Sequence, residues 1–312
     1  MPRATPPLVV LSLCLAGCAS WPRLTKPPLP PPAGAEFLSA VDGTRLYSSI
    51  EGPGPRGVVW LVMGPEIAST PPVPALTAAL HEAGFATAVF HARGTGFSDG
   101  LRGDVDDYSK FVDDYRFFLA RLLGRFPRVF LFGQSAGGAF ALELAAHAPS
   151  PLAGVVLVNP AWRVQPAKGM GPSFGDYLVY AANFLFRPAA LTVDMNSRPD
   201  AVEFAPDREE ALALQRDPLV VRYFSMRTLF AQKALMDRCP ENIAAVDAPV
   251  LMVGGAHDAL IDPASLDELL AKARTTDKQK LVSPEGGHGS SAVETRVGAL
   301  VDWLVERAPA AP

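Results

Sequence analysis

Cysteine is scarce in this chain: Cys14, Cys18 and Cys239 are the only three among 312 residues. That count excludes a disulfide-stapled scaffold. Histidine is scarce too, with five copies, so few side chains can act as a base near neutral pH. No basic tract runs longer than a residue or two, and the net charge is −4. The sequence therefore has no electrostatic footprint for nucleic acid. It also lacks internal repeats and any apolar run long enough to cross a bilayer as a helix. What it does have is bulk: 49% of its residues are hydrophobic and 19% charged. That composition suits one large α/β domain, or a domain with an insert.

The most informative stretch is Gly133-Gln134-Ser135-Ala136-Gly137, followed by Gly138. An apolar run at 129–132 precedes it and reads as a buried strand; residues 139–146 follow it and read as a helix. Strand, Gly-x-Ser-x-Gly, helix is the context of a nucleophile elbow. The turn is so sharp that side chains at 133 and 137 would strike neighbouring backbone. The helix that starts after Ser135 aims its free N-terminal amides at the reaction centre, where they favour negative charge. The competing reading is a tight strand-to-helix turn with a surface serine.

The N-terminus reads as an address. Arg3 supplies a positive region, and residues 8–16 form an apolar stretch too short for a membrane helix. Leu15-Ala16-Gly17-Cys18 resembles the bacterial lipobox, in which the cysteine receives diacylglycerol and becomes the new N-terminus. Residues 1–17 are then a signal peptide, with Cys18 the lipidation site and the membrane a partner through it. An ordinary signal peptide cut elsewhere, or an uncleaved anchor, is the alternative. Ala19 and Ser20 carry no aspartate retention signal. The resemblance implies a cell-envelope lipoprotein facing the periplasm or exterior, on the outer membrane if two membranes exist. Residues 18–35 read as a proline-rich linker in extended polyproline II, holding the domain off the surface at about 3 Å per residue.

The rest alternates. Asp42-Gly43 between runs at 37–41 and 45–50 predicts a hairpin. Strands are expected at 58–63, 86–90, 154–158, 249–255 and around 281–282. Helices are expected at 74–84, 105–123 and 293–306, with Asp113, Asp114 and Arg116 on the solvated face of the second. After the strand at 86–90 comes His91-Ala92-Arg93-Gly94-Thr95-Gly96-Phe97-Ser98-Asp99-Gly100.

An Asp-Gly hairpin, then Arg-Gly-x-Gly-x-Ser-x-Gly after a strand, then the serine elbow, in this order, resembles the α/β-hydrolase fold. More narrowly, it resembles the monoacylglycerol lipase and lysophospholipase group of serine hydrolases. The resemblance covers residues 36–306. It implies a mostly parallel eight-stranded sheet with helices on both faces and a helical cap insert at about 163–240. Phe174, Tyr177, Tyr180, Phe184 and Phe186 fall in that insert. They either line an acyl pocket, touch lipid, or pack the cap on the core.

A serine hydroxyl is a weak nucleophile until a base takes its proton, and a carboxylate must orient that base. In this fold the order is serine, acid, histidine, each at or just past a strand end. Ser135, Asp258 and His288 meet both conditions. His81 and His147 lie in expected helices, His91 stands where the family has aspartate, and His257 should point away from the acid beside it. Asp262 competes for the acid role but can instead cap the helix after Pro263. For the oxyanion hole, the amide of Ala136 is one donor. The second should come from the loop after 58–63, where the family has His-Gly-x and this chain has Met63-Gly64-Pro65. Pro65 has no amide hydrogen, so Met63, Gly64 or Glu66 donates, or the donor is missing.

These residues predict a carboxylic-ester hydrolase working through an acyl-enzyme, with no metal or organic cofactor, a small ester or lipid as substrate, and a monomeric state. An acyltransferase on the same triad and a catalytically weak, hydrolase-like binding lipoprotein are the alternatives.

Overall fold

The chain enters its central sheet through a hairpin set by one carboxylate. Asp42 Oδ1 accepts from the Thr44 N–H and hydroxyl at 3.1 and 2.7 Å, and Gly43 takes φ 81°. Such a turn suits Asp-Gly because only glycine adopts that φ without strain. The structure, a computed structural model, describes residues 20–64, 73–164, 174–194 and 207–309.

The hairpin joins β1 (Glu36–Ser39) to β2 (Arg45–Glu51). Then follow β3 (Val58–Val62), α1 (Pro74–Glu82), β4 (Ala86–Phe90), α2 (Tyr108–Arg125), β5 (Val129–Gln134), α3 (Ala136–Ala146) and β6 (Gly154–Val158). Next come α4 (Phe174–Phe186), β7 (Leu191–Asp194), α5 (Arg208–Arg216), β8 (Tyr223–Ser225), α6 (Met226–Asp237) and α7 (Cys239–Ala245). The chain closes with β9 (Val250–Gly255), α8 (Pro263–Ala271), β10 (Lys278–Ser283), α9 (Ser291–Glu294) and α10 (Val297–Arg307).

Eight strands form one sheet in the order β1-β2-β4-β3-β5-β6-β9-β10. β2 runs antiparallel to β1 and β4; every other pairing is parallel. This is the mostly parallel eight-stranded sheet that the family resemblance implies. Parallel strands are buried on both faces, which is why 58–62 and 129–133 are continuously apolar. Alternate residues divide between two cores. Val58, Trp60 and Val62 pack with Phe111, Tyr115 and Phe118 of α2 and Phe140 of α3. Val59 and Leu61 pack with Leu76 and Leu80 of α1 and Trp303 of α10. The chain leaves β3 for β4 on one side and returns to β5 on the other. That reversal opens a crevice beyond the carboxyl ends of the strands, where ligands bind in such sheets.

Four expectations change. The second helix starts at Tyr108 rather than 105, because Asp107 is extended and caps the Ser109 N–H at 3.0 Å, while the Val105 N–H ahead of it is held by Thr228 Oγ1 at 2.8 Å. Asp114 of that helix is buried, not solvated: its two oxygens hold Arg93 through Nε and Nη2, both at 2.8 Å. The closing helix is broken at Thr295–Arg296. There Thr295 Oγ1 meets Ser283 Oγ at 3.0 Å and Arg296 Nε donates to Val282 O at 2.7 Å, so the backbone follows the end of β10 before α10 begins.

The fourth change is the linker. Its described part, from residue 20 onward, lies along the domain instead of standing off it. Trp21 stacks on Tyr223 with ring centroids 4.2 Å apart, and its N–H donates to Leu191 O. Arg23 reaches the buried carboxylate of Asp104, and the carbonyls of Leu24 and Thr25 accept from Arg102 and Gly100. An aromatic partner and a buried counter-charge outweigh the stiffness of the prolines. Cys18 and the rest of residues 1–19 lie outside the described residues.

Between β6 and β9 the described residues add no strand to the main sheet; β7 and β8 form a separate antiparallel pair. On α4, Phe184, Leu185 and Phe186 are exposed, the last at 81%, and Phe184 packs edge-on against the exposed Phe230 of α6. They belong neither to the core clusters nor to the cavity described below. The side chains of Phe174 and Tyr177 lie outside the described residues.

Candidate active site

Ser135 stands between the last residue of β5 and the first of α3, at φ 51° and ψ −122°. A non-glycine residue there is strained, and the surrounding packing enforces it. A Cβ on Gly133 would overlap Gly137 O and come within 2.8 Å of Ala141 Cβ; one on Gly137 would overlap Val62 O. The bare Gly133 therefore lets α3 fold back tightly on the end of β5, and the bare Gly137 lets the elbow approach β3. Ser135 is then pinned through its backbone: its N–H donates to Val158 O at 3.0 Å, and its carbonyl accepts from Ala161 at 2.9 Å.

Three strand ends converge on the hydroxyl. His288 Nε2 lies 2.8 Å from Ser135 Oγ, and His288 Nδ1 lies 2.8 Å from Asp258 Oδ2. An ionised carboxylate can only accept, so Nδ1 carries the ring hydrogen and Nε2 is free to take the serine proton. The Asp258 side chain is 1% exposed, and its other oxygen, Oδ1, accepts from the Leu260 and Ile261 N–H groups, both at 2.8 Å. Those amides satisfy a buried negative charge that would otherwise be costly. Asp262 caps α8 through the Ala264 N–H at 2.9 Å.

The other histidines sit elsewhere. His81 Nε2 pairs with Thr87 Oγ1, His147 Nδ1 faces Glu143 O, and His257 is exposed. His91 is buried and accepts the Phe97 N–H on Nδ1 at 3.0 Å. Burial, reinforced by the Arg102 charge, pushes its pKa down to about 3, so it stays neutral at physiological pH. Cys239 is buried and its thiol is pushed up to about 12 by desolvation, which makes it chemically inert.

Ala136 opens α3, so its N–H belongs to a first helical turn without intrahelical partners. Gly64 lies against Gly137, beside the elbow, and the carbonyl of Met63 is held by Tyr115 OH at 2.8 Å. Pro65 and Glu66 lie outside the described residues.

A cavity of about 240 Å³ opens onto Ser135 and His288. Its walls are mostly apolar: Ala161, Leu229, Met236, Leu260 and Ile261, with Gln232 and Lys233 as polar lining from α6. Of the three roles left open for the aromatics of 174–186, lining this cavity is not seen for Tyr180, Phe184 or Phe186; its described wall comes from α6 and the Asp258 loop.

One functional residue escaped the sequence reading. Asn159, fully buried at φ 42°, donates from Nδ2 to Gly287 O at 3.0 Å and His288 O at 3.3 Å. Its Oδ1 accepts from the Gly255 N–H at 3.2 Å. It thereby ties the ends of β6 and β9 to the loop carrying His288. The available signal was an asparagine directly after a strand and before Pro160, a pattern that marks a turn without saying what the side chain holds.

A family described as serine aminopeptidase, S33 matches residues 54–292. The monoacylglycerol lipase of Mycolicibacterium smegmatis is 29% identical over 255 residues, covering 79% of this chain and 87% of its own length. The mouse monoglyceride lipase is 29% identical over 190 residues, covering 59% of this chain and 60% of its own. The crystal structure of Paleococcus ferrophilus monoacylglycerol lipase superposes with a TM-score of 0.70 at 26% identity, covering 84% of this chain and 99% of that one.

Proposed function

The chain belongs to the serine aminopeptidase S33 family and is a serine hydrolase of the lipase and esterase kind; within that class, we propose that it cleaves lipid esters, such as monoacylglycerols or lysophospholipids, through an acyl-enzyme on Ser135. The observation that carries the mechanism is the unbroken relay from Ser135 Oγ through His288 to Asp258, with both links at 2.8 Å. Ser135 attacks the ester carbonyl as Nε2 of His288 takes its proton. The tetrahedral oxyanion is met by the Ala136 amide and an amide of the loop at Gly64. His288 then protonates the departing alcohol, and the acyl group remains on Ser135. Water, deprotonated by the same nitrogen, attacks the acyl carbonyl and releases the acid. Asp258 orients the ring and stabilises its charged form in both halves. The apolar cavity suits an acyl chain, and the named substrates of the relatives point the same way.

The second part of the proposal is location. Lipidated Cys18 anchors the protein to a bacterial envelope membrane. Two observations support this. Trp21 is docked near Leu191, so little chain separates Cys18 from the domain, and the nearby α4 presents Leu185 and Phe186 to the outside. None of the described helices is long and apolar enough to cross a membrane.

The test is fluorophosphonate labelling and hydrolysis of p-nitrophenyl butyrate and monoacylglycerol by the full chain, beside Ser135→Ala. Loss of both signals in the variant supports the acyl-enzyme. Turnover that survives it refutes the role of Ser135. Product analysis with added glycerol separates hydrolysis from acyl transfer. Mass spectrometry of the mature N-terminus, beside Cys18→Ser, tests the anchor separately.

A further inference from the structure

The loop that carries His288 is gripped from two sides. From the sheet side, Asn159 and Gln134 donate to its carbonyls, the latter from Nε2 to His288 O at 3.2 Å. From the opposite side, three consecutive N–H groups meet two carboxylates. Gly289 and Ser291 donate to Asp207 Oδ2 and Oδ1 at 2.9 and 3.1 Å, and Ser290 donates to Glu210 Oε2 at 2.7 Å. Neither acid belongs to the sheet domain's own loops. Asp207 stands at the N-cap of α5 and Glu210 in its first turn.

Two details set this contact apart from ordinary surface bonding. Asp207 occupies the N-cap position but makes no side-chain cap bond to its own helix; both oxygens go to the histidine loop, and the residue is buried. Gly289 is also shaped for the contact. A Cβ there would overlap Glu210 Oε2 and come within 2.8 Å of Asp207 Cγ, although the backbone φ of this glycine lies outside the left-handed region. The missing side chain is needed for the approach of the acids, not for a turn. Charge-assisted bonds from amides to carboxylate are stronger than neutral ones, and three in a row fix a loop's position and tilt.

We propose that Asp207 and Glu210 are positioning residues for the catalytic base: α5 completes the active site by clamping the loop that holds His288. The inference rests on the reading of Ser135, His288 and Asp258 as a triad. It makes α5 a support of the catalytic machinery. His288 Nε2 stays aimed at Ser135 only while α5 is seated. Substrate must then reach the cavity without lifting α5, past α6 and the Asp258 loop that wall it.

The experiment compares the full chain with Asp207→Asn and Gly289→Ala, using p-nitrophenyl butyrate turnover and the rate of fluorophosphonate labelling. Asp207→Asn keeps the shape but places an amide donor against an N–H. Gly289→Ala pushes the acids away while leaving them intact. Both should lower kcat by about 10- to 100-fold, as a misplaced base does, with KM within about twofold and labelling slowed in the same ratio. Adding Asp207→Asn to His288→Ala should produce no further loss, because the clamp acts only through the histidine. Unchanged kcat, a loss confined to KM, or an additive loss in the double variant overturns the clamp. An inactive wild type would instead overturn the triad reading beneath it. Circular dichroism and the unfolding midpoint identify a variant that fails to fold, and the other variant then carries the test.

Discussion

Replacing Asn159 separates the strain of this site from the bonds that hold it. Its side chain makes three hydrogen bonds, one from Gly255 N–H to Oδ1 and two from Nδ2 to the carbonyls of Gly287 and His288. Removing it strips the Gly255 N–H and the Gly287 carbonyl of this partner; His288 O keeps Gln134. Two buried polar groups left unsatisfied cost about 1–2 kcal/mol each, so Asn159→Gly should lose about 2–4 kcal/mol. Asn159→Ala loses the same bonds and must also hold φ 42° with a Cβ. That strain exceeds glycine's extra chain entropy by roughly 0.5–1 kcal/mol, so the alanine variant should be the less stable.

Urea unfolding followed by tryptophan fluorescence measures both differences. Turnover of p-nitrophenyl butyrate should fall at least about tenfold in each variant, because the histidine loop loses its hold on the sheet. The reasoning fails if Asn159→Gly is within about 0.5 kcal/mol of wild type with kcat unchanged. A glycine variant less stable than the alanine variant would refute the assignment of strain.

His91 predicts a pH dependence. Its folded pKa of about 3 lies below the ordinary value of 6.5, so between these limits the unfolded chain binds a proton that the folded protein refuses. This contribution to stability is complete above about pH 6.5 and is lost at roughly 1.4 kcal/mol per unit as pH falls toward 3. In urea midpoints at pH 7, 5.5 and 4.5, the slope should shrink in His91→Gln; an unchanged slope assigns it to other groups. Asp104 tests the docking of the linker. It accepts from Arg23, Ser225 and Arg227, with its side chain fully buried. Asp104→Ala should cost about 2–4 kcal/mol, below the full value of a broken buried pair because Arg227 can turn to water. Arg23→Ala, at the exposed end, should cost under about 1 kcal/mol in the same assay. Equal losses would show that Arg23 carries the contact.

The strands and the three candidate site residues were legible because they depend on local pattern, whereas the number and order of the strands came from the family resemblance. An apolar run feeding Gly-x-Ser-x-Gly leaves few conformations for 129–140, and Asp258 and His288 stand where strands must end. What escaped depends on contacts between residues distant in sequence. Asp114 looked solvated because its helix face is polar; only the fold brings Arg93 to it. The proline-rich segment looked like a spacer because Tyr223 and Asp104, its partners, lie far along the chain. The break at Thr295 follows from where β10 ends, and no glycine or proline stands there to signal it. Asp207 and Glu210 drew no reading from the sequence, because acids at a helix start are ordinary and Gly289, their partner, lies about 80 residues on.

Ser135 and Asn159 are two of the three non-glycine residues in the described chain with positive φ, and they follow adjacent parallel strands. Their placement has one cause. A strand that continued straight would carry its last side chain away from the crevice; a left-handed residue at the end turns the chain abruptly and projects the side chain over the sheet edge. At β5 this exposes a hydroxyl, and at β6 it delivers an amide that grips the neighbouring histidine loop. Each distortion costs of order 1–3 kcal/mol, and each is locked by the same short set of bonds. Ser135 N–H holds Val158, Asn159 N–H holds Val253, and the Asn159 amide holds Gly255 and Gly287. The strained positions therefore brace one another across β5, β6 and β9. A mutation that relaxes either one should loosen Ser135 and the loop of His288 together, so the two strained residues act as one mechanical unit of the candidate site.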